Sequence, residues 1–128
     1  PSMPPPETWE LSDVVAEVSA LLAAHADVGG ILIATLTGRT ARRVARFHPA
    51  VPVFAATPDP FVLRQLTLSY GVRSFTVPTT SDRPRFVRAA LQTLRKKRWV
   101  RAGTSLIIVA GEPWGTPGTA NAVEVRTL

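Results

Sequence analysis

Three threonines and a glycine lie between an apolar run and an amphipathic segment, and they are the residues best suited to bind an anion. Residues 31–34 form the short apolar run that is typical of a strand buried on both faces. Apolar residues at helical spacing follow from position 41, with arginines between them. A strand that turns directly into a helix points free backbone N–H groups and the positive end of the helix dipole at one place. This geometry predicts a phosphate or carboxylate site, whose residues are Thr35, Leu36, Thr37, Gly38, Arg39 and Thr40 (the 35–40 turn).

The same turn has a purely structural interpretation. Thr37 would cap the helix, Gly38 would ease the turn, and the arginines would form a solvated helix face. The Gly-Lys-Ser/Thr ending of a nucleotide-binding P-loop is missing, so that class of site is not predicted. Both interpretations of the 35–40 turn stay open on these residues alone.

Length and composition exclude several classes of protein. At 128 residues the chain is expected to be one domain with a core that needs no disulfides. It has no cysteine, and its two histidines, His25 and His48, have no carboxylate at ligand spacing, so neither a thiol nucleophile nor a metal site is predicted. No apolar run approaches membrane-spanning length and no signal-peptide pattern opens the chain, so we expect a cytoplasmic protein without a membrane partner.

The charge of the chain is unevenly distributed. The whole chain has a net charge of +6. Residues 1–30 hold five acids and no lysine or arginine, whereas residues 31–128 hold all 15 basic residues. A positive field favours an anionic partner without identifying it. Arginine, which binds phosphate bidentately, outnumbers lysine, but a GC-rich coding bias would give the same preference.

Apolar periodicity predicts four helices that alternate with strands. Residues 1–10 are proline-rich and are expected to be a linker or tail, and residues 11–128 are expected to form the domain. Helices are predicted at about 12–26, from 38 to about 48, at about 60–70 and at about 82–99, and strands at 31–34, 51–56, 72–77, 105–110 and 122–126. This order predicts an α/β fold with three layers, α/β/α, around a five-stranded, mostly parallel sheet. The last connection holds no helical pattern, so the last strand should be antiparallel.

Two segments of this fold should open on one edge of the sheet. The 35–40 turn and the turn-rich 111–119 loop each follow the carboxyl end of a predicted strand. Ligands of such sheets bind beyond these ends, where the strand order reverses. The sequence therefore predicts that both segments border one ligand site.

Several motifs together resemble the C-terminal domain of pyruvate kinase. They lie at 35–42, 49–58, 64–66, 70–72, 101–111 and 115–121, and their order and spacing match the family over about residues 12–128. The resemblance implies the same five-stranded α/β/α fold. It also implies an allosteric regulatory domain of a glycolytic enzyme, which binds a phosphorylated small-molecule effector in the 35–40 turn and contributes to a homo-oligomer.

The resemblance also implies which other residues contact the effector. An effector loop would close over the ligand with Trp114, Gly115, Thr116, Pro117, Gly118 and Thr119. Some relatives add a tryptophan and an arginine before the long helix, and here Arg83, Arg85 or Arg88 would supply the additional anion contacts. A sugar bisphosphate, a sugar monophosphate and a nucleotide monophosphate would each fit.

Catalysis is not expected from this chain alone. Phosphoryl transfer needs a metal held by carboxylates and a cationic clamp, and the nine acids here form no such motif. The resemblance places these groups, and the family's metal ions, in a catalytic barrel domain, so no catalytic residue and no cofactor are assigned to this chain. The alternative is a barrel-less, stand-alone relative that binds phosphate ligands or self-associates.

A second class of function, nucleic-acid binding, is suggested by residues 95–101. Basic residues beside an exposed Trp99 would grip phosphates and stack a base. The competing interpretation is a helix end whose cations complement the dipole and whose tryptophan is buried, and it is the favoured one.

Overall fold

The computed structural model describes residues 11–69, 71–110 and 122–128. The predicted 1–10 tail, Tyr70 and the 111–119 loop lie outside these ranges. The helices are α1 (Leu11–His25), α2 (Arg39–Arg46), α3 (Pro60–Thr67) and α4 (Arg83–Lys97). The strands are β1 (Gly30–Ala34), β2 (Val53–Thr57), β3 (Val72–Thr76), β4 (Ser105–Ala110) and β5 (Ala122–Thr127).

The five strands form one sheet in the order β3-β2-β1-β4-β5. Strand β1 pairs in parallel with both β2 and β4, and β2 pairs in parallel with β3. Strand β5 is antiparallel to β4. The predicted sheet, mostly parallel with an antiparallel last strand, is therefore confirmed.

Helices cover both faces of the sheet, but unequally. Alternate side chains of β1 point to opposite faces, as the two-residue period of a strand requires. Leu32 and Ala34 pack on the side of α4, and Ile31 and Ile33 pack on the side of α1, α2 and α3. Five apolar residues of α4 are buried: Phe86, Val87, Ala90, Leu91 and Leu94. Among the described elements, one helix thus covers one face of the sheet and three helices cover the other.

Aspartates cap the first turn of two of the helices. The Asp59 side chain accepts a hydrogen bond from the N–H of Phe61 (2.8 Å) at the start of α3. At the start of α4, the Asp82 side chain accepts one from the N–H of Arg85 (3.3 Å). Each cap satisfies a helix-terminal donor that has no partner within the helix, and so fixes where that helix begins.

The apolar stripe of α1 is only partly buried. Its large members Val18, Leu21 and Leu22 are 41%, 53% and 37% exposed, whereas Ala16 and Ala23 are buried. Small side chains let α1 approach α2 closely, and the larger ones then lie on the outer side of the helix. None of the described helices is long and apolar enough to span a membrane.

Candidate functional site

The 35–40 turn lies where the strand order of the sheet reverses. From β1 the chain continues to β2 on one side, and later crosses through α4 to β4 on the other side. The N–H of Thr35 still donates to the carbonyl of Ala56 (3.0 Å), so the turn begins at the carboxyl edge of the sheet. This is the position at which open α/β sheets bind ligands.

Two threonine hydroxyls hold the turn in shape. The N–H of Gly38 donates to the hydroxyl oxygen of Thr35 (2.8 Å), and the N–H of Arg39 donates to that of Thr37 (3.2 Å). The helix-capping residue is Gly38, with φ of 80°, and no side chain caps α2. The structural interpretation of Thr37 as the cap of α2 is therefore wrong. Its hydroxyl instead accepts from the N–H of the residue two positions later and so closes a tight turn before the helix.

Three other backbone donors of the turn have no acceptor at hydrogen-bonding distance in the described part of the chain: the N–H groups of Leu36, Thr37 and Thr40. They lie at the start of a helix, whose dipole favours negative charge there. The turn thus keeps the donor set of an anion site, although two of its amides are already used internally.

Exposure separates the residues of the turn into two groups. Thr35 and Thr40 are buried, at 0% and 2% exposed, and Gly38 is buried as well. Thr37 and Arg39 are exposed. The buried residues therefore shape the turn, whereas the side chains of Thr37 and Arg39 lie at the surface.

Gly38 is closely surrounded. A Cβ at this position would lie 3.1 Å from Cγ1 of Val62 and 3.3 Å from Cδ2 of Leu66, both in α3. It would also lie 3.1 Å from Nη1 of Arg42, which places this guanidinium beside the turn. Arg42 is not among the residues predicted from the sequence, but its position four residues after the helix-capping glycine would have indicated it, since such residues share one helix face.

A cavity of about 390 Å³ lies on the α4 side of the same edge. Ala110 lines it and pairs with Ala34, the residue before the turn, so the cavity and the turn share the carboxyl edge. Of the three predicted arginines, Arg83 lines the cavity, whereas Arg85 and Arg88 are exposed and lie outside its described lining. The cavity is lined by Arg83, Pro84, Val87, Ile108, Ala110, Val123, Glu124 and Arg126.

An ion pair on β5 forms part of the cavity wall. Nη2 of Arg126 lies 3.1 Å from Oε1 of Glu124, and both side chains remain partly exposed. Cations in this wall suit an anionic ligand, and a carboxylate accepts hydrogen bonds from hydroxyl groups. Glu124 and Arg126 were not predicted as site residues, because one acid and one arginine on an alternating strand carry no distinctive signal.

The other predicted contact residues belong to the effector loop. The effector loop, from Trp114 to Thr119, lies outside the described residues. Among the residues that are described, no group of three or more histidines and carboxylates is placed to hold a metal ion.

The tryptophan of the basic segment is packed against other aromatic rings. The ring of Trp99 stacks with Phe54 at a centroid distance of 6.2 Å and meets Phe75 edge-on at 6.0 Å. The guanidinium of Arg73 lies 3.9 Å from the centroid of the same ring. This packing matches the interpretation of residues 95–101 as a helix end with a partly buried tryptophan.

Comparison with known proteins identifies the family of this fold. The family model described as "Pyruvate kinase, alpha/beta domain" matches residues 13–126. The chain is 30% identical over 122 residues to a pyruvate kinase of Clostridium acetobutylicum, and 32% identical over 102 residues to one of Mycobacterium tuberculosis. These alignments cover 95% and 80% of this chain, but 26% and 22% of the relatives.

The same fold is present in solved structures. A pyruvate kinase of Cryptosporidium parvum in complex with ADP superposes with a TM-score of 0.83 at 23% identity. It covers 96% of this chain, which in turn covers 25% of that structure. The chain thus spans about a quarter of the length of these relatives. It belongs to the family of pyruvate kinase alpha/beta domains.

Proposed function

We propose that this chain is the effector-binding domain of a pyruvate kinase and that it binds a phosphorylated small molecule at the 35–40 turn. The observation that carries the proposal is the set of backbone donors at Leu36, Thr37 and Thr40, which have no acceptor among the described residues. Donors gathered at a helix start bind phosphate groups well, because the helix dipole adds to their hydrogen bonds.

Side chains around the turn would complete the phosphate site. The hydroxyl of Thr37 accepts one hydrogen bond from Arg39 and still has a proton to donate to a phosphate oxygen. The guanidinium of Arg42, close to Gly38, supplies charge and further donors. The Thr35 hydroxyl would act indirectly, by fixing the N–H of Gly38 and with it the course of the backbone.

The remainder of the ligand would occupy the cavity beside the turn. Arg83 and Arg126 favour a second anionic group there, and Glu124 favours the hydroxyls of a sugar. The volume of about 390 Å³ is within the range of small-molecule sites. The proposed ligand class is therefore a sugar phosphate or a nucleoside phosphate.

Isothermal titration calorimetry tests this proposal with fructose 1,6-bisphosphate, glucose 6-phosphate, ribose 5-phosphate and AMP. We expect at least one of them to bind, and the Thr37→Val variant to bind it roughly tenfold more weakly, since a hydrogen bond to a charged group is worth about 1.5–3 kcal/mol. Thr67→Val is the control, because the Thr67 hydroxyl is exposed and bonds only the carbonyl of Arg64 on α3. Absence of heat with all four ligands, or equal affinity in Thr37→Val, contradicts the proposal.

The same proposal assigns catalysis to the remainder of a longer enzyme. The chain spans about a quarter of its relatives, and the groups that transfer a phosphoryl group would lie in a barrel domain that packs against it. We therefore expect the 128-residue chain to form no pyruvate from phosphoenolpyruvate and ADP with Mg²⁺ and K⁺ present. A coupled lactate dehydrogenase assay measures this, and turnover that rises with the concentration of the chain would refute it.

Self-association is also part of the proposal. The exposed large side chains of α1, Val18, Leu21 and Leu22, offer apolar surface that contact with another copy or with the barrel domain would cover. Light scattering at several concentrations should show a mass that rises above that of the 13.8 kDa monomer. A strict monomer at millimolar concentration would leave only the barrel domain as the partner of this surface.

A further inference from the structure

A basic cluster lies at the opposite edge of the sheet from the 35–40 turn. Helix α4 starts at the carboxyl edge, after β3, and ends where the chain returns to the amino end of β4. Its last turn holds Arg95, Lys96 and Lys97, and Arg98 and Arg101 follow it. All five side chains are exposed.

Three of these arginines surround one depression. A cavity of about 450 Å³ is lined by Arg95, Arg98, Val100, Arg101 and Ala102. In the described part of the chain, none of the three guanidinium groups has a carboxylate within 4 Å. Three cations that share an open cavity without a neutralising acid repel one another, and a bound anion would relieve this repulsion.

The helix dipole does not explain all of this charge. Cations in the last turn of a helix complement its negative end, and this accounts for Arg95. Arg101 lies beyond that turn. Arg98 is in the left-handed region, with φ of 58°, where glycine is the residue usually found. An arginine thus occupies a position where the backbone favours a residue without a side chain.

The neighbouring tryptophan is not available to stack a nucleic-acid base. Trp99 already contacts the rings of Phe54 and Phe75 and the guanidinium of Arg73, and Nζ of Lys97 lies 5.0 Å from its ring centroid. Binding of single-stranded nucleic acid depends strongly on such stacking. Recognition at this cluster therefore depends on charge and on the planar donors of arginine.

We propose that Arg95, Arg98 and Arg101 form a second anion site, which takes a small molecule with two or more adjoining phosphate groups. A single guanidinium binds one phosphate through two parallel hydrogen bonds, and three of them suit a di- or triphosphate chain. The depression has the volume of a small-molecule site. This site is separate from the 35–40 turn and does not depend on the function proposed there.

Calorimetric titration with inorganic tripolyphosphate tests this site. The variant that combines Arg98→Gly and Arg101→Ala should bind at least tenfold more weakly, because it loses two charge-assisted contacts. Glycine suits the backbone at position 98, so the variant should melt no lower than the unmodified chain. Arg64→Ala, which removes an exposed arginine from α3, is the control and should bind normally.

Two comparisons separate this site from other sources of phosphate binding. Loss of tripolyphosphate affinity in Thr37→Val, with normal affinity in the arginine variant, would place the ligand at the 35–40 turn and overturn the proposal. A single-stranded oligonucleotide should bind more weakly than tripolyphosphate at the same ionic strength. If the oligonucleotide binds more tightly and the arginine variant abolishes this binding, the cluster is a nucleic-acid surface and the proposal is wrong. Absence of tripolyphosphate binding also overturns the proposal.

Discussion

Replacement of Gly38 by alanine should destabilise the fold by roughly 2–5 kcal/mol and abolish phosphate binding at the 35–40 turn. The backbone at this residue has φ of 80°, a left-handed conformation that costs an L-residue about 1–2 kcal/mol. The added methyl group would also lie 3.1 Å from Cγ1 of Val62 and 3.3 Å from Cδ2 of Leu66. Such crowding typically costs a further 1–3 kcal/mol.

Binding should weaken because the backbone must move to relieve this crowding. Val62 and Leu66 are 6% and 0% exposed and have little room to move, so the displacement falls mainly on the turn. The N–H groups of Leu36, Thr37 and Thr40 then no longer point to one place. A misplacement of about 1 Å is enough to lose the hydrogen bonds that a phosphate would make.

Gly103→Ala is the matched control for this substitution. Gly103 also has a positive φ, of 89°, but nothing lies within 4 Å of the position of its Cβ. Chemical denaturation should therefore show only the conformational part of the cost, about 1–2 kcal/mol, and ligand affinity should not change. Equal stability losses in the two variants, with normal binding by Gly38→Ala, would show that close packing around Gly38 does not shape a binding site.

Replacement of Phe54 by alanine should lower the free energy of unfolding by about 3–5 kcal/mol, a large part of the stability of a domain of this size. Phe54 is 2% exposed in the central part of the sheet, on the face where α4 is the one helix among the described elements. No second described helix on that face can close the cavity that the substitution leaves. Its ring also stacks with Trp99 at 6.2 Å, so the fluorescence of this tryptophan should change as well.

Leu68→Ala is the control for this core substitution. Leu68 is also a large apolar residue, but it is 89% exposed just after α3. Its loss should change the free energy of unfolding by no more than about 0.5 kcal/mol. A cost below about 1 kcal/mol for Phe54→Ala would mean that the α4 face is not a packed core.

The order and type of every element could be predicted from the sequence, because local signals marked each one. Apolar runs indicated the buried strands, and Asp59 and Asp82 marked the starts of two helices. The direction of β5 followed from the absence of a helical pattern in the connection that precedes it. The exposure of Leu21 on α1 did not follow, because apolar periodicity shows which residues share a helix face and not how closely that face approaches the core.

The candidate site could be located from sequence but not resolved into roles. A strand–turn–helix pattern with threonines and Gly38 is visible along the chain. The Thr35 hydroxyl is buried and accepts from the N–H of Gly38, whereas Thr37 is exposed. This difference depends on how the turn packs against α3. Glu124 was missed because its place in the cavity depends on α4, which is distant in sequence, whereas the four-residue spacing of Arg42 from Gly38 could have indicated that residue.

The most direct test of the central claim follows backbone amides by nuclear magnetic resonance during titration with fructose 1,6-bisphosphate or glucose 6-phosphate. We predict that the signals of Leu36, Thr37 and Thr40 shift together and saturate at one ligand concentration, because a bound phosphate accepts hydrogen bonds from all three. Gly38→Ala should abolish these shifts, and Gly103→Ala should preserve them. Unchanged signals from these amides, while other amides respond to the same ligand, would contradict a phosphate site at the turn.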